Sequence, residues 1–314
     1  MNKNDKEKLY SVNEKDFDSL GELSSFSKNK ISESNLKYVF PDSNQRDEIL
    51  LKIVKYLFSK DVSYAGSHRK MQWEDGWAEN LNEFLKSGDL ESIVPKYFDK
   101  YNIQRLNGKL IIPKSKNFEI GLVRILQYII FDKYFKNSNN VYEFGAGTGH
   151  NLLRVREINK NASLFSMEWA KSGVDIINTV ANKLNDEKLI GICFNNFIPD
   201  YNIKLRPNSS IYTFAALEQL GNNTDNLINY WLTNKASMVV NVEPMVEPLD
   251  ENELLQYLSI KYFEKRGYLK DFINKLKILE QDGRIVIHNI YRTGIGSLFI
   301  EGYSIIVWSP VEGS

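Results

Sequence analysis

The stretch Val141-Tyr142-Glu143-Phe144-Gly145-Ala146-Gly147-Thr148-Gly149-His150 constrains this chain more than any other. A short apolar run carries an acid, Glu143, then breaks into glycines at alternate positions, Gly145, Gly147 and Gly149. Asn151 to Ile158 reads as a helix. Strand, glycine turn and helix open a doubly wound α/β domain, whose ligands sit at the carboxyl ends of the strands. Without Cβ atoms, the glycines let backbone bend sharply and approach a ligand closely. A dinucleotide fingerprint G-x-G-x-x-G laid on Gly145 and Gly147 puts its third glycine at His150, so the spelling departs from that motif.

The remaining sequence narrows the class. A chain of 314 residues holds one large domain or two modest ones. Lys+Arg and Asp+Glu balance at 40 each, which argues against a nucleic-acid binder held by bulk charge. One cysteine, Cys193, leaves no internal disulfide and suits a reducing, cytoplasmic setting. Three widely spaced histidines give no zinc framework, and no metal is expected. The polar N-terminus lacks the apolar core of a signal peptide, and no run of about 18 apolar residues predicts a membrane span. No HExxH, G-x-S-x-G or P-loop string occurs, so protease, hydrolase and P-loop readings lack support.

Taken in order, residues 1–44 are polar and read as a flexible or loosely docked arm. Residues 45–114 read as a helical cap, with a helix over Asp47 to Phe58 capped by Asp42 or Ser43. Tyr64 to Trp77 holds Tyr64, His68, Arg69, Trp73, Glu74 and Trp77. On a helix Trp73 and Trp77 share one face, as core anchors or as an aromatic wall for a sugar-like ligand. In the second reading His68, Arg69 and Glu74 bind hydroxyls or a phosphate. Residues 115–314 read as one α/β domain with helices on both faces of a mainly parallel sheet. It opens with the amphipathic helix Ile120 to Phe135. Strands follow at Val141, at Ser163 to Met167, at Leu189 to Phe194, at Ser210 to Phe214 and at Ala236 to Val242. A helical region broken near Gly267 then leads to two closing strands.

Seven strands with E-x-G-x-G-x-G after the first resemble the class I S-adenosylmethionine-dependent methyltransferases, over about residues 115–310. The resemblance implies a Rossmann-like seven-stranded fold and S-adenosylmethionine as cofactor. It places Glu143, Gly145, Gly147, Thr148, Gly149 and His150 along the cofactor. Glu168, ending the second strand, would take the ribose hydroxyls, because a carboxylate accepts two hydrogen bonds. Asn195 or Asn196, after the third, would take the adenine amino group, or else form an Asn-Asn turn. Glu218, Glu243, His288 and Arg292 are expected at the same rim. His288, Glu243, Glu218 and His68 are the candidates for a general base, with the imidazole of His288 suiting neutral pH best. The Trp-rich segment and the terminal strand look like sugar O-methyltransferases of bacterial surface-polysaccharide clusters. The expected partner is a small-molecule or glycan acceptor, with a homo-oligomer left open. Methylation of an amine, a nicotinamide-dependent oxidoreductase and a catalytically silent Rossmann-like binding module are the alternatives.

Overall fold

The N-terminal third is more than a helical cap. The computed structural model describes residues 8–60 and 62–311. Strand β1 (Tyr10–Ser11), helix α1 (Ser25–Ser34) and strand β2 (Lys37–Val39) lead into α2 (Ser43–Phe58) and α3 (Lys70–Ser87). Strands β3 (Gln104–Leu106) and β4 (Lys109–Pro113) follow. Helix α2 begins at a capping box between Asp42 and Gln45, and α3 stops where Gly88 takes the left-handed conformation.

Residues 8–44, expected as a loosely docked arm, pack firmly. Phe17, Leu20, Ile31 and Tyr38 are buried in the main apolar core. The polar composition misled because few apolar side chains, well spaced, suffice to fasten the segment. Residues 1–7 of that expected arm lie outside the described residues.

The second part alternates strands and helices. Helix α4 (Phe118–Tyr134) precedes β5 (Asn140–Phe144), α5 (His150–Ile158), β6 (Ser163–Glu168), α6 (Lys171–Leu184) and β7 (Leu189–Cys193). Then come β8 (Ser209–Phe214), α7 (Asp225–Thr233), β9 (Met238–Glu243), α8 (Leu254–Arg266) and α9 (Phe272–Gln281). Strands β10 (Ile285–Arg292), β11 (Ile295–Ser297) and β12 (Ser304–Pro310) end the chain.

Seven strands form one sheet in the order β10-β12-β9-β8-β5-β6-β7. Strands β5 to β9 run parallel, and β12 runs antiparallel to β9 and β10. This is the seven-stranded Rossmann-like sheet expected from the sequence. Side chains alternate across it, so Val141 joins one apolar layer while Tyr142 and Phe144 join the other. The chain leaves central β5 toward β6 and β7, then returns to β8 on its other side. That reversal opens a crevice at the strands' carboxyl ends.

A second sheet, in the order β1-β2-β4-β3-β11, was not foreseen. Its last strand comes from beyond β10, pairing Ile295 with Leu106 and Ser297 with Gln104. The boundary expected at residue 115 therefore does not separate two independent sheets. Among the described residues, no helix is long and apolar enough to cross a membrane.

Candidate functional site

Past Phe144 the chain turns through Gly145, Gly147 and Gly149, at φ of 73°, 57° and 72°. A Cβ on Gly145 would stand 2.6 Å from Ala216 Cβ, and one on Gly147 3.0 Å from the Trp77 ring. Only bare backbone fits between the sheet and the cap. Glu143 lies one layer behind this loop rather than beside the cleft. Its oxygens accept from Asn151 Nδ2 at 2.6 Å and the Tyr212 hydroxyl at 2.8 Å. Burial pushes its carboxyl up to about 8. It ties the first turn of α5 to the sheet.

The loop floors a cleft between the sheet and the cap. Gly145, Ala146, Gly147, Thr148, His150 and Glu168 line it from the sheet side; Gly149 does not reach it and instead packs against Ile177. Both Glu168 oxygens point at backbone, accepting from Gly147 N at 2.7 Å and Ala170 N at 2.9 Å. Burial pushes this carboxyl up to about 7, against the pull of those amides. Asn196 lines the cleft with a buried Oδ1 that has no partner. Asn195 instead makes the turn, its Oδ1 accepting from Phe197 N at 2.9 Å. His150 is buried, with Nδ1 3.3 Å from Thr148 Oγ1 and Nε2 unpartnered. Burial, then the charges of Arg124 and Arg154, push it down to about 3, so its imidazole is neutral at physiological pH.

The aromatic lining went unseen in the sequence. Trp169 stacks on Phe197 with centroids 5.4 Å apart, and Phe194 lies beside them. Their signal was present, since all three fall within four residues of a strand end. Bulky aromatics at strand ends, however, read equally as core.

The cap supplies the opposite wall. Trp73 and Trp77 stack 5.3 Å apart on α3 and both line the cleft, joined by Pro95 and Tyr97. Trp77 also belongs to the main core, so the anchoring and lining roles coincide. Arg69 is buried behind Trp73 and donates to Gln219 Oε1 at 2.7 Å. Tyr64 and His68 are exposed and do not line the cleft. Glu74 has a different task from ligand binding. Its oxygens accept from Lys171 N at 2.7 Å and Ser172 N at 2.8 Å. It caps α6, whose own N-cap, Ala170, has no side chain for the purpose.

Of the base candidates, His288 is displaced. It lies exposed on edge strand β10, Nε2 2.8 Å from Ser309 Oγ, beside a bulge between Ile287 and Asn289. The bulge turns the ring to solvent, away from the cleft. Arg292 is spent on Glu301 at 2.9 Å. Glu243 is sealed, accepting from Ala216 N and Leu217 N at 3.1 Å, and burial raises it to about 8. It holds the turn after β8. Glu218, on that turn, is half-buried and next to the cleft residue Gln219, which donates to it at 3.1 Å. Burial lifts its carboxyl to about 7, against the pull of Arg266 and Arg69. Cleft-lining Tyr97 lies within its field. Among the described residues no group of His, Cys, Asp and Glu has the arrangement of a metal site.

No protein-family model matches the chain, and no curated protein matches it. Solved structures resemble it in part. One is an O-methyltransferase from neocarzinostatin biosynthesis, in complex with S-adenosylmethionine, 11% identical over 76% of this chain and 69% of that one, TM-score 0.45. Another is the N-methyltransferase NodS of Bradyrhizobium japonicum, in complex with S-adenosyl-L-homocysteine, 11% identical over 76% and 100%, TM-score 0.48. A third is magnesium protoporphyrin IX methyltransferase of Synechocystis, 7% identical over 73% and 94%, TM-score 0.46. The chemistry of the cleft is read from its own residues.

Proposed function

We propose that this protein binds S-adenosylmethionine in the cleft and methylates a hydroxyl of a sugar or sugar-containing metabolite. One observation carries the cofactor reading. A buried carboxylate, a loop with glycine at alternate positions and an unpartnered amide oxygen face one aromatic-walled cleft. Each fits a part of the group. Glu168 suits a cis-diol, since a carboxylate accepts two hydroxyl hydrogen bonds. Asn196 Oδ1 suits an exocyclic amine, and the Trp169–Phe197 stack suits a purine face. When bound, S-adenosylmethionine supplies an already activated methyl group.

The chain's own contribution is then alignment and removal of a proton. The Trp73–Trp77 pair and Tyr97 offer apolar faces to a sugar ring. A hydroxyl has a pKa far above neutral, so a base must take its proton as the methyl arrives. We assign that role to Glu218, which stands just behind the cleft-lining Gln219 and reaches the acceptor only when that amide moves aside. Its raised pKa lets it hold a proton near neutral pH while remaining partly ionised.

Calorimetry with S-adenosylhomocysteine, NAD and NADP side by side tests the cofactor. Binding of the first alone is expected; binding of either nicotinamide nucleotide in its place overturns the reading. A panel of nucleotide sugars, free glycans and peptides, with labelled methyl donor, tests the acceptor. Methyl transfer confined to the peptides would reject the sugar assignment.

A further inference from the structure

Beyond Gln219 the cleft wall is backed by two guanidinium groups, one bonded to amide oxygens and the other set among tyrosines. Arg69 ends a short turn, Ser67–Arg69, and Arg266 lies in the last turn of α8. Arg69 gives Nε to Gln72 at 3.0 Å and Nη1 to Gln219 Oε1 at 2.7 Å. Arg266 gives Nη1 to the Tyr262 hydroxyl at 3.1 Å and lies over the Tyr268 ring at 5.0 Å. Its Nε is buried without a partner. Burial, then the charge of Arg266, push Arg69 below the usual guanidinium range, whereas Arg266, despite its burial, is held above it by Tyr268, Tyr262 and Tyr56. The carboxylate that faces both is Glu218, itself partly protonated at neutral pH.

Like charges held together away from water are costly unless a counter-charge is supplied. A guanidinium fork matches carboxylate and phosphate oxygens better than it matches an amide. Here the strongest bond of Arg69 goes to a neutral amide oxygen. That amide belongs to Gln219, which also lines the cleft and bridges Arg69 to Glu218, so a ligand oxygen entering from the cleft would replace it on Arg69.

We propose that Arg69 and Arg266 form an oxyanion subsite at the acceptor end of the cleft, with Gln219 Oε1 standing where one ligand oxygen binds. The acceptor then carries a phosphate or carboxylate group in addition to the hydroxyl it presents. This acceptor role rests on the methyl-transfer reading above; the anion site itself does not.

The full-length chain, titrated by calorimetry with inorganic phosphate, pyrophosphate and acetate at constant ionic strength, tests it. At least one should bind, and the preference between phosphate and acetate tells a phosphorylated acceptor from a carboxylated one. Arg69→Gln should weaken binding by about tenfold or more, the scale of a lost charge-assisted hydrogen bond. Gln219→Glu places an internal carboxylate on Arg69, so it should abolish anion binding and raise Tm. Should Arg69→Gln fail to fold, Arg266→Gln and Gln219→Glu carry the test. No anion binding by the wild type, or equal binding by Gln219→Glu, overturns the proposal. S-adenosylhomocysteine affinity in Arg69→Gln should stay within about twofold of wild type, since both guanidinium groups stand behind Gln219 and neither lines the cleft. If the wild type binds the anions with this variant pattern but not S-adenosylhomocysteine, the subsite stands and the methyl-transfer reading falls.

Discussion

The two walls of the cleft are built on different principles. The sheet-side wall comes from strand ends: the glycine loop after β5, Glu168 closing β6, Asn196 just beyond β7. Each residue is placed by the strand it follows. The cap-side wall comes from side chains joined over long separations. Arg69 meets Gln219, 150 residues later, and Glu74 meets Ser172, 98 residues later. Topology positions the first wall before any side chain is chosen. Packing positions the second, so its chemistry depends on partners that no local pattern announces.

The largest effect is expected where the walls touch. Gly147→Val forces a branched side chain into the Trp77 ring from a left-handed backbone, and S-adenosylhomocysteine binding should vanish in a titration. Retained affinity would show that the cap is not closed over the loop in solution. Next comes Glu218→Gln, which should lower kcat by about 10²–10⁴ with cofactor affinity kept. Because the base works ionised, kcat/KM in the wild type should rise with pH through about 7 and then level. A variant with unchanged turnover would remove Glu218 as base and bring amine methylation forward, where positioning suffices.

Glu168→Ala confines the damage to the sheet-side wall. It should cost about 1.5–3 kcal/mol of cofactor affinity, the scale of a lost charged hydrogen-bond partner. Acceptor KM should hold; a KM that moves as much as cofactor Kd would mean that the walls are not separable. The smallest change is Glu74→Ala, about 0.5–2 kcal/mol of stability by analogy with a lost helix cap. Chemical denaturation measures it, and a loss indistinguishable from zero would show that the α3–α6 link contributes nothing.

This contrast also explains what the sequence disclosed. The seven strands, the glycine loop and the paired α8 and α9 follow from periodicity and punctuation, which are local. His288 misled because a histidine in a closing strand gives no hint of which face it takes, and the bulge after Ile287 decides that. Glu243 misled for the opposite reason. A carboxylate at a strand end looks catalytic, yet here it is consumed by two backbone amides of the neighbouring turn. Three-residue strands such as β2 and β11 carry too little pattern to be read at all, so the second sheet stayed hidden.

That second sheet has a consequence for how the chain is made. Its edge strand β11 lies at Ile295–Ser297, whereas its partner β3 lies at Gln104–Leu106. On the ribosome, β3 must wait with an open edge until the much later β11 has emerged. Contacts of such sequence separation are slow to form, and unpaired edges invite association with other chains. The fold therefore closes like a clasp, late residues onto early ones, and a nascent chain stalled before Ile295 keeps an unpaired edge on β3.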